Sequence, residues 1–184
     1  MKQYIHFFTL NISDQPFIEA MLEAFLQDVK PLHSNTHTYV FNAIPKENLN
    51  PLIQDMQSET LSDVFAYVSM PLKEKEMVSH LQTLLSIMDS YNGIRKGLLT
   101  TTALIQYTPI SHTLKSFIFQ KYAQKPFMLE TIKVYLECDQ HAIKASQELY
   151  IHRNTLLMRL ESFYEVTGLD PRRFMDAYVI YRLL

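Results

Sequence analysis

The chain changes character at Ser111. Ahead of it, strand-like and helix-like runs alternate; from Ser111 to Leu184 every run has helical spacing. That switch predicts an α+β chain, an N-terminal βαβαβαβ-like sheet domain followed by an all-α domain. Tyr4 to Leu10 reads as a strand of imperfect alternation. Ser13 is placed to cap a helix carrying Phe17, Ile18, Met21, Leu22, Phe25 and Val29, which Pro31 stops. Thr36 to Ile44, closed by Pro45, reads as a second strand. Asn48 to Met56 reads as a short helix with Leu49, Leu52, Ile53 and Met56 on one face. Val64 to Met70 is a third strand. A helix from Lys73 to Tyr91 is expected to bury Met77, Val78, Leu81, Leu84, Leu85 and Met88. Leu98 to Tyr107, β-branched and apolar, reads as a fourth strand.

Composition removes several classes of function. Gly93, Gly97 and Gly168 are the only glycines, so Gly-rich phosphate loops are excluded by counting. Cys138 is the only cysteine, which rules out an intramolecular disulfide and a thiolate zinc cluster and fits a reducing compartment. The N-terminal MKQYIHFFTLN lacks a signal-peptide pattern, and no run approaches the ~20 apolar residues of a membrane span. A cytoplasmic protein is expected. Net charge is −2, which by itself speaks against a nucleic-acid binder. Residues 1–120 carry 8 Lys+Arg against 11 Asp+Glu, and residues 121–184 carry 9 against 8. Binding to DNA would therefore need local placement of charge, doubled by a two-fold homodimer.

The C-terminal third carries the informative pattern. Leu114, Phe117, Ile118, Lys121 and Tyr122 lie on one amphipathic helix that ends near Lys125-Pro126 and joins the two parts. Four helix signals follow. Met128 to Glu137 carries Leu129, Ile132, Tyr135 and Leu136 at helical spacing. Ala142 to Tyr150 has Ala145 and Ser146, small enough for another helix to approach closely. Leu149 to His152 makes a turn, Asn154 to Val166 is the next helix, and Gly168 suits its stop. Asp170-Pro171 is expected to open the last helix. Two short helices across a tight turn are the helix-turn-helix pattern. On a wheel of the second helix, Leu156, Leu160, Phe163 and Tyr164 gather on the core side. Asn154, Met158 and Ser162 fall opposite, with Thr155 beside them and Arg153 at the exposed start. Arginine there can pair bidentately with guanine and asparagine with adenine, while Thr155 and Arg159 suit phosphates.

The run YIHRNTLLMRLESFYEVTGLD, Tyr150 to Asp170, resembles the C-terminal Fis-type helix-turn-helix of the PucR/CdaR family of bacterial transcriptional regulators. His152, Arg153, Asn154, Thr155, Leu156, Arg159, Leu160, Thr167, Gly168, Leu169 and Asp170 carry the likeness, and MLETIKVYLE (Met128 to Glu137) is similar to the family's opening helix. The resemblance implies a regulator that binds double-stranded DNA as a homodimer, through His152, Arg153, Asn154, Thr155 and Arg159. The chain departs from the family at Leu157, Glu161 and Ser162, where basic residues are usual, and at Met158, where tyrosine is usual. Those departures motivate the alternative of an interaction protein that keeps the fold, has lost the DNA contacts and modulates a partner regulator.

The resemblance also implies domain limits: 1–110 as a degenerate GGDEF-like α/β domain, 111–126 as a connecting helix, 127–184 as the helix-turn-helix domain. Val64 to Leu72 (VFAYVSMPL) is similar to a worn central strand of the GGDEF-like domain, and without any Gly-Gly pair cyclase activity is excluded. A dimerising or partner-binding role is expected of this part, the alternative being a core that merely supports the DNA-binding module. His33 and His37 have i,i+4 spacing, but Ser34-Asn35-Thr36 between them reads as loop, so no metal site is assigned. No motif orders a nucleophile and base, so no catalytic residue and no cofactor are assigned. The sequence names no effector.

Overall fold

The computed structural model describes residues 3–9, 13, 15–26, 31–35, 37–41, 49–60, 63–70 and 72–184. It divides into two compact units: Met1–Val78 with Gly93–Thr100, and Ser79–Asn92 with Thr101–Leu184.

The first unit is a five-stranded mixed sheet in the order β2-β3-β1-β4-β5. Its elements are β1 (Ile5–Thr9), α1 (Gln15–Leu26), β2 (His33–Asn35), β3 (Thr38–Phe41), α2 (Leu49–Thr60), β4 (Val64–Val68) and β5 (Gly97–Leu99). Neighbours among the first four strands are antiparallel, in the split βαβ arrangement; β5 adds parallel to β4. The imperfect alternation of β1 has a cause: every residue of the strand is buried. Ile5 and Phe7 join Tyr39, Phe41, Val64 and Ala66 on one face, against Ile18 and Leu22 of α1 and Leu49, Leu52, Ile53 and Met56 of α2. On the other face Phe8 stacks on Phe65 at 4.8 Å. A strand buried on both sides reads as an apolar run, not as a two-residue period.

Two segments depart from the sequence reading. The His33–Asn35 stretch, read as partly loop, is the short outer strand β2, paired with β3 through His33↔Val40 and Asn35↔Thr38. Leu98 to Tyr107 is strand only as far as Leu99, and Thr101–Gln106 forms α4. The parallel ladder with β4 ends at Tyr67↔Leu99, and beyond it the backbone groups are satisfied within the helix instead. The readings of Val29, Thr36, Ile44, Pro45 and Asn48 lie outside the described residues.

The helix α3 (Met77–Asp89) buries Met77, Leu81, Leu84 and Met88, whereas Val78 is exposed. The second unit continues with α4, α5 (His112–Phe119), α6 (Pro126–Glu137), α7 (Ala142–Glu148), α8 (Arg153–Thr167) and α9 (Phe174–Leu183). The run read as one helix from Ser111 stops at Phe119, where Gln120 adopts a φ of +47° and opens a 3-10 turn, and Pro126 then takes the first position of α6. Asp176 of α9 fastens the unit: its carboxylate accepts from the Thr102 hydroxyl at 3.2 Å and from the Asp170 amide at 3.1 Å. Among the described residues no helix is long and apolar enough to cross a membrane.

Candidate nucleic-acid interface

Helices α7 and α8 form the two arms of a helix-turn-helix, and each starts on a histidine. His141 Nδ1 accepts from the Lys144 amide and His152 Nδ1 from the Asn154 amide, both at 3.2 Å. An imidazole that accepts through Nδ1 carries its proton on Nε2, so the His152 ring caps α8 while its other nitrogen can donate. Between the helices, Ile151 N–H returns to the Ser146 carbonyl at 3.0 Å. The turn needs a left-handed residue, and Tyr150 fills that place at a φ of +52° with its side chain 96% exposed. Ala145 and Ser146 are buried, as the close approach of two helices demands.

The inner face of α8 is Leu156, Leu160 and Phe163, all fully buried, with the rings of Phe119 and Tyr122 6.0 Å from that of Phe163. Tyr164, read as core, is 41% exposed instead. Gly168 ends the helix at a φ of +69°, its amide reaching the Tyr164 carbonyl at 2.8 Å. Asp170-Pro171 does not open α9 directly. The Asp170 carboxylate accepts from Arg172 N–H at 3.0 Å and organises a turn, and α9 begins after Arg173.

Of the residues assigned to DNA, His152, Arg153, Asn154 and Thr155 are exposed together at the start of α8. Arg159 is placed differently. Its Nη1 donates to Oγ1 of the buried Thr131 at 2.8 Å, and its guanidinium lies 5.4 Å from the Phe127 ring centre, so it is drawn back onto α6. Ser162, assigned by the wheel to the outer face, faces Tyr122, whose hydroxyl donates to the Ser162 carbonyl at 3.1 Å and lies 2.7 Å from its Oγ. Glu161 is paired with Arg172 at 2.9 Å. Arg172 also holds Asp170 at 2.7 Å. Partial burial opposes ionisation of Asp170, but the Arg172 bonds and charge, with Arg173, keep its carboxyl below the usual carboxylate range.

Three of these features escaped the sequence reading. Thr131 is a helix-interior threonine with no outward sign that an arginine 28 residues away uses it. Arg172, two places beyond Asp170, offered a signal, since a basic residue there can both turn back on Asp170 and reach a carboxylate. Tyr150 carried a signal in its position, the site between two helices where glycine is the ordinary choice.

These helices make a helix-turn-helix domain. It is a PucR-type one: residues 128–183 match the family model described as the PucR C-terminal helix-turn-helix domain. A stretch of 55 residues is 36% identical to uncharacterized proteins of Mycobacterium bovis and Mycobacterium tuberculosis, covering 30% of this chain and 13% of theirs. The match thus spans about an eighth of the length of those curated relatives. The crystal structure of a regulator of polyketide synthase expression from Bifidobacterium adolescentis overlays 99% of this chain and 81% of its own at 13% identity, with a TM-score of 0.42.

Proposed function

We propose that this protein is a transcriptional regulator that binds double-stranded DNA with α8 in the major groove. One observation carries the reading: the polar start of α8, Arg153-Asn154-Thr155, stands exposed in a PucR-type helix-turn-helix domain. A recognition helix presents these first residues to base edges. Arg153 and Asn154 read bases, Thr155 and the His152 Nε2 side take phosphates, and Arg159 contributes by holding α8 on α6. Pairing of Glu161 with Arg172 relieves the repulsion that a bare carboxylate on α8 would bring to DNA.

The regulator acts as a homodimer in the cytoplasm. One copy brings few cations, so two half-sites are needed for useful affinity. The outward row of α9, Phe174, Tyr178 and Tyr181 at i, i+4 and i+7, supports a second copy as partner; with Leu136 and Gln140 it lines a shallow groove of about 440 Å³. Residues 1–110 serve as a degenerate GGDEF-like dimerising or partner-binding unit, 111–126 as the connection and 127–184 as the DNA-binding domain. The competing reading, an interaction protein without DNA contacts, rests on Leu157, Glu161 and Ser162 standing where basic residues are usual.

A salt-titrated gel shift separates the two. Replacing Arg153 with Ala is expected to weaken binding by ~1–3 kcal/mol and to relax the preference at the base it reads. Salt-insensitive binding, or an affinity that ignores the substitution, contradicts the assignment.

A further inference from the structure

Met158 has no structural employment on α8. Its side chain is 72% exposed, although the helix has a buried apolar face one row away. It follows Asn154 by four residues and shares its outward row. The side chains around it are otherwise engaged: Arg159 with Thr131, Glu161 with Arg172, Ser162 with Tyr122. Between Asn154 and the exposed carboxylate of Glu165, then, the outward row of α8 offers a ligand neither an unpaired charge nor a hydrogen-bond donor. It offers a flexible, polarizable thioether.

Within the major groove an apolar group has one distinctive partner, the C5-methyl of thymine. Four residues advance a helix by ~6 Å, which is roughly two base-pair steps of ~3.4 Å. We propose that Met158 is a specificity-determining residue that packs on a thymine methyl, about two base pairs from the base read by Asn154, once in each half-site. The inference rests on the DNA-binding reading above and adds a base preference to it. Asn154 supplies hydrogen-bond readout of one pair, and Met158 supplies a methyl-sensitive readout that cytosine, which lacks the methyl, cannot satisfy.

The test uses the full chain. Genomic fragments that it retains define the site, and synthetic duplexes of that site then carry deoxyuridine in place of thymine, one position at a time. This exchange deletes the C5-methyl and leaves base pairing intact. Fluorescence anisotropy is read for the unsubstituted chain and for Met158→Ala, Met158→Gln and Arg153→Ala. At one thymine per half-site the exchange is expected to weaken binding by the unsubstituted chain about fourfold, the weight of one buried methyl group. Both Met158 variants should bind the unmodified site as weakly and be indifferent to deoxyuridine at that position. Indifference of the unsubstituted chain to every exchange, or equal sensitivity in the Met158 variants, overturns the inference. If binding still depends on Arg153 in that case, the regulator reading survives and only the Met158 contact fails. If no duplex is bound at all, both fall together.

Discussion

Arg159 of α8 donates through Nη1 to the buried hydroxyl of Thr131 on α6 at 2.8 Å, so the two arginines of α8 have different work. Arg153 faces solvent, whereas Arg159 fixes the helix to its support. Replacing Arg159 with Ala should lower stability by about 1–2 kcal/mol, because a hydrogen bond from a charged donor is lost, while the Thr131 hydroxyl keeps its own bond to the Phe127 carbonyl at 2.7 Å. Arg153→Ala should stay within roughly 0.5 kcal/mol, as exposed substitutions do. Urea unfolding of both variants checks this; an equal, negligible effect would show that the Thr131 contact is idle.

Tyr150 is a non-glycine residue at a φ of +52°, with its ring almost wholly in water. A left-handed backbone costs an L-residue about 1–2 kcal/mol that glycine does not bear. Tyr150→Gly is therefore expected to stabilise the domain by about 1 kcal/mol after the extra freedom of the unfolded glycine is counted. A lower melting temperature for this variant would mean that the tyrosine ring contributes more than its backbone costs.

His80 lies buried against Phe117, ring centres 4.4 Å apart, and burial lowers its imidazole from 6.5 to about 4. The folded chain therefore keeps His80 neutral in a range where the unfolded chain protonates it, and unfolding takes up a proton. The His80 contribution is complete above about pH 6.5 and is lost as pH falls toward 4. His80→Phe preserves the stack and removes the titration. Across that window the unsubstituted chain should lose stability relative to the variant; parallel pH profiles would contradict the assignment.

Much of this architecture is legible in the residues. Leu49, Leu52, Ile53 and Met56 mark the buried face of α2 by spacing alone, and all four are in the core. Gly168 announces the end of α8 because glycine alone takes that backbone without cost. The limit of β5 is not legible, since it is set by where its pairing with β4, far earlier in the chain, stops. Nor was the wheel enough for Ser162, because a helical period says which way a side chain points and nothing of Tyr122 arriving from 40 residues away. Arg159 looked like a phosphate ligand for the same reason. Its partner Thr131 is set by the packing of α8 on α6, a tertiary fact.

The α9 row gives a test of assembly. Tyr178 is half exposed on the line joining Phe174 and Tyr181. A glutamate there would have to be desolvated in an interface between copies, at a cost of several kcal/mol. Tyr178→Glu should shift sedimentation toward the monomer and leave the unfolding midpoint of the domain nearly unchanged. Identical sedimentation of the two proteins would remove α9 from the interface.

The central claim, that α8 reads duplex DNA, is tested most directly by selecting genomic fragments with the purified full chain at ~0.15 M salt, where non-specific phosphate contacts are weak. The expected result is a recurring pair of half-sites about one helical turn, ~10 base pairs, apart, with enrichment abolished when Arg153 and Asn154 are both replaced by Ala. Enrichment no greater than in the input, or the same fragments returned by the double variant, would contradict it.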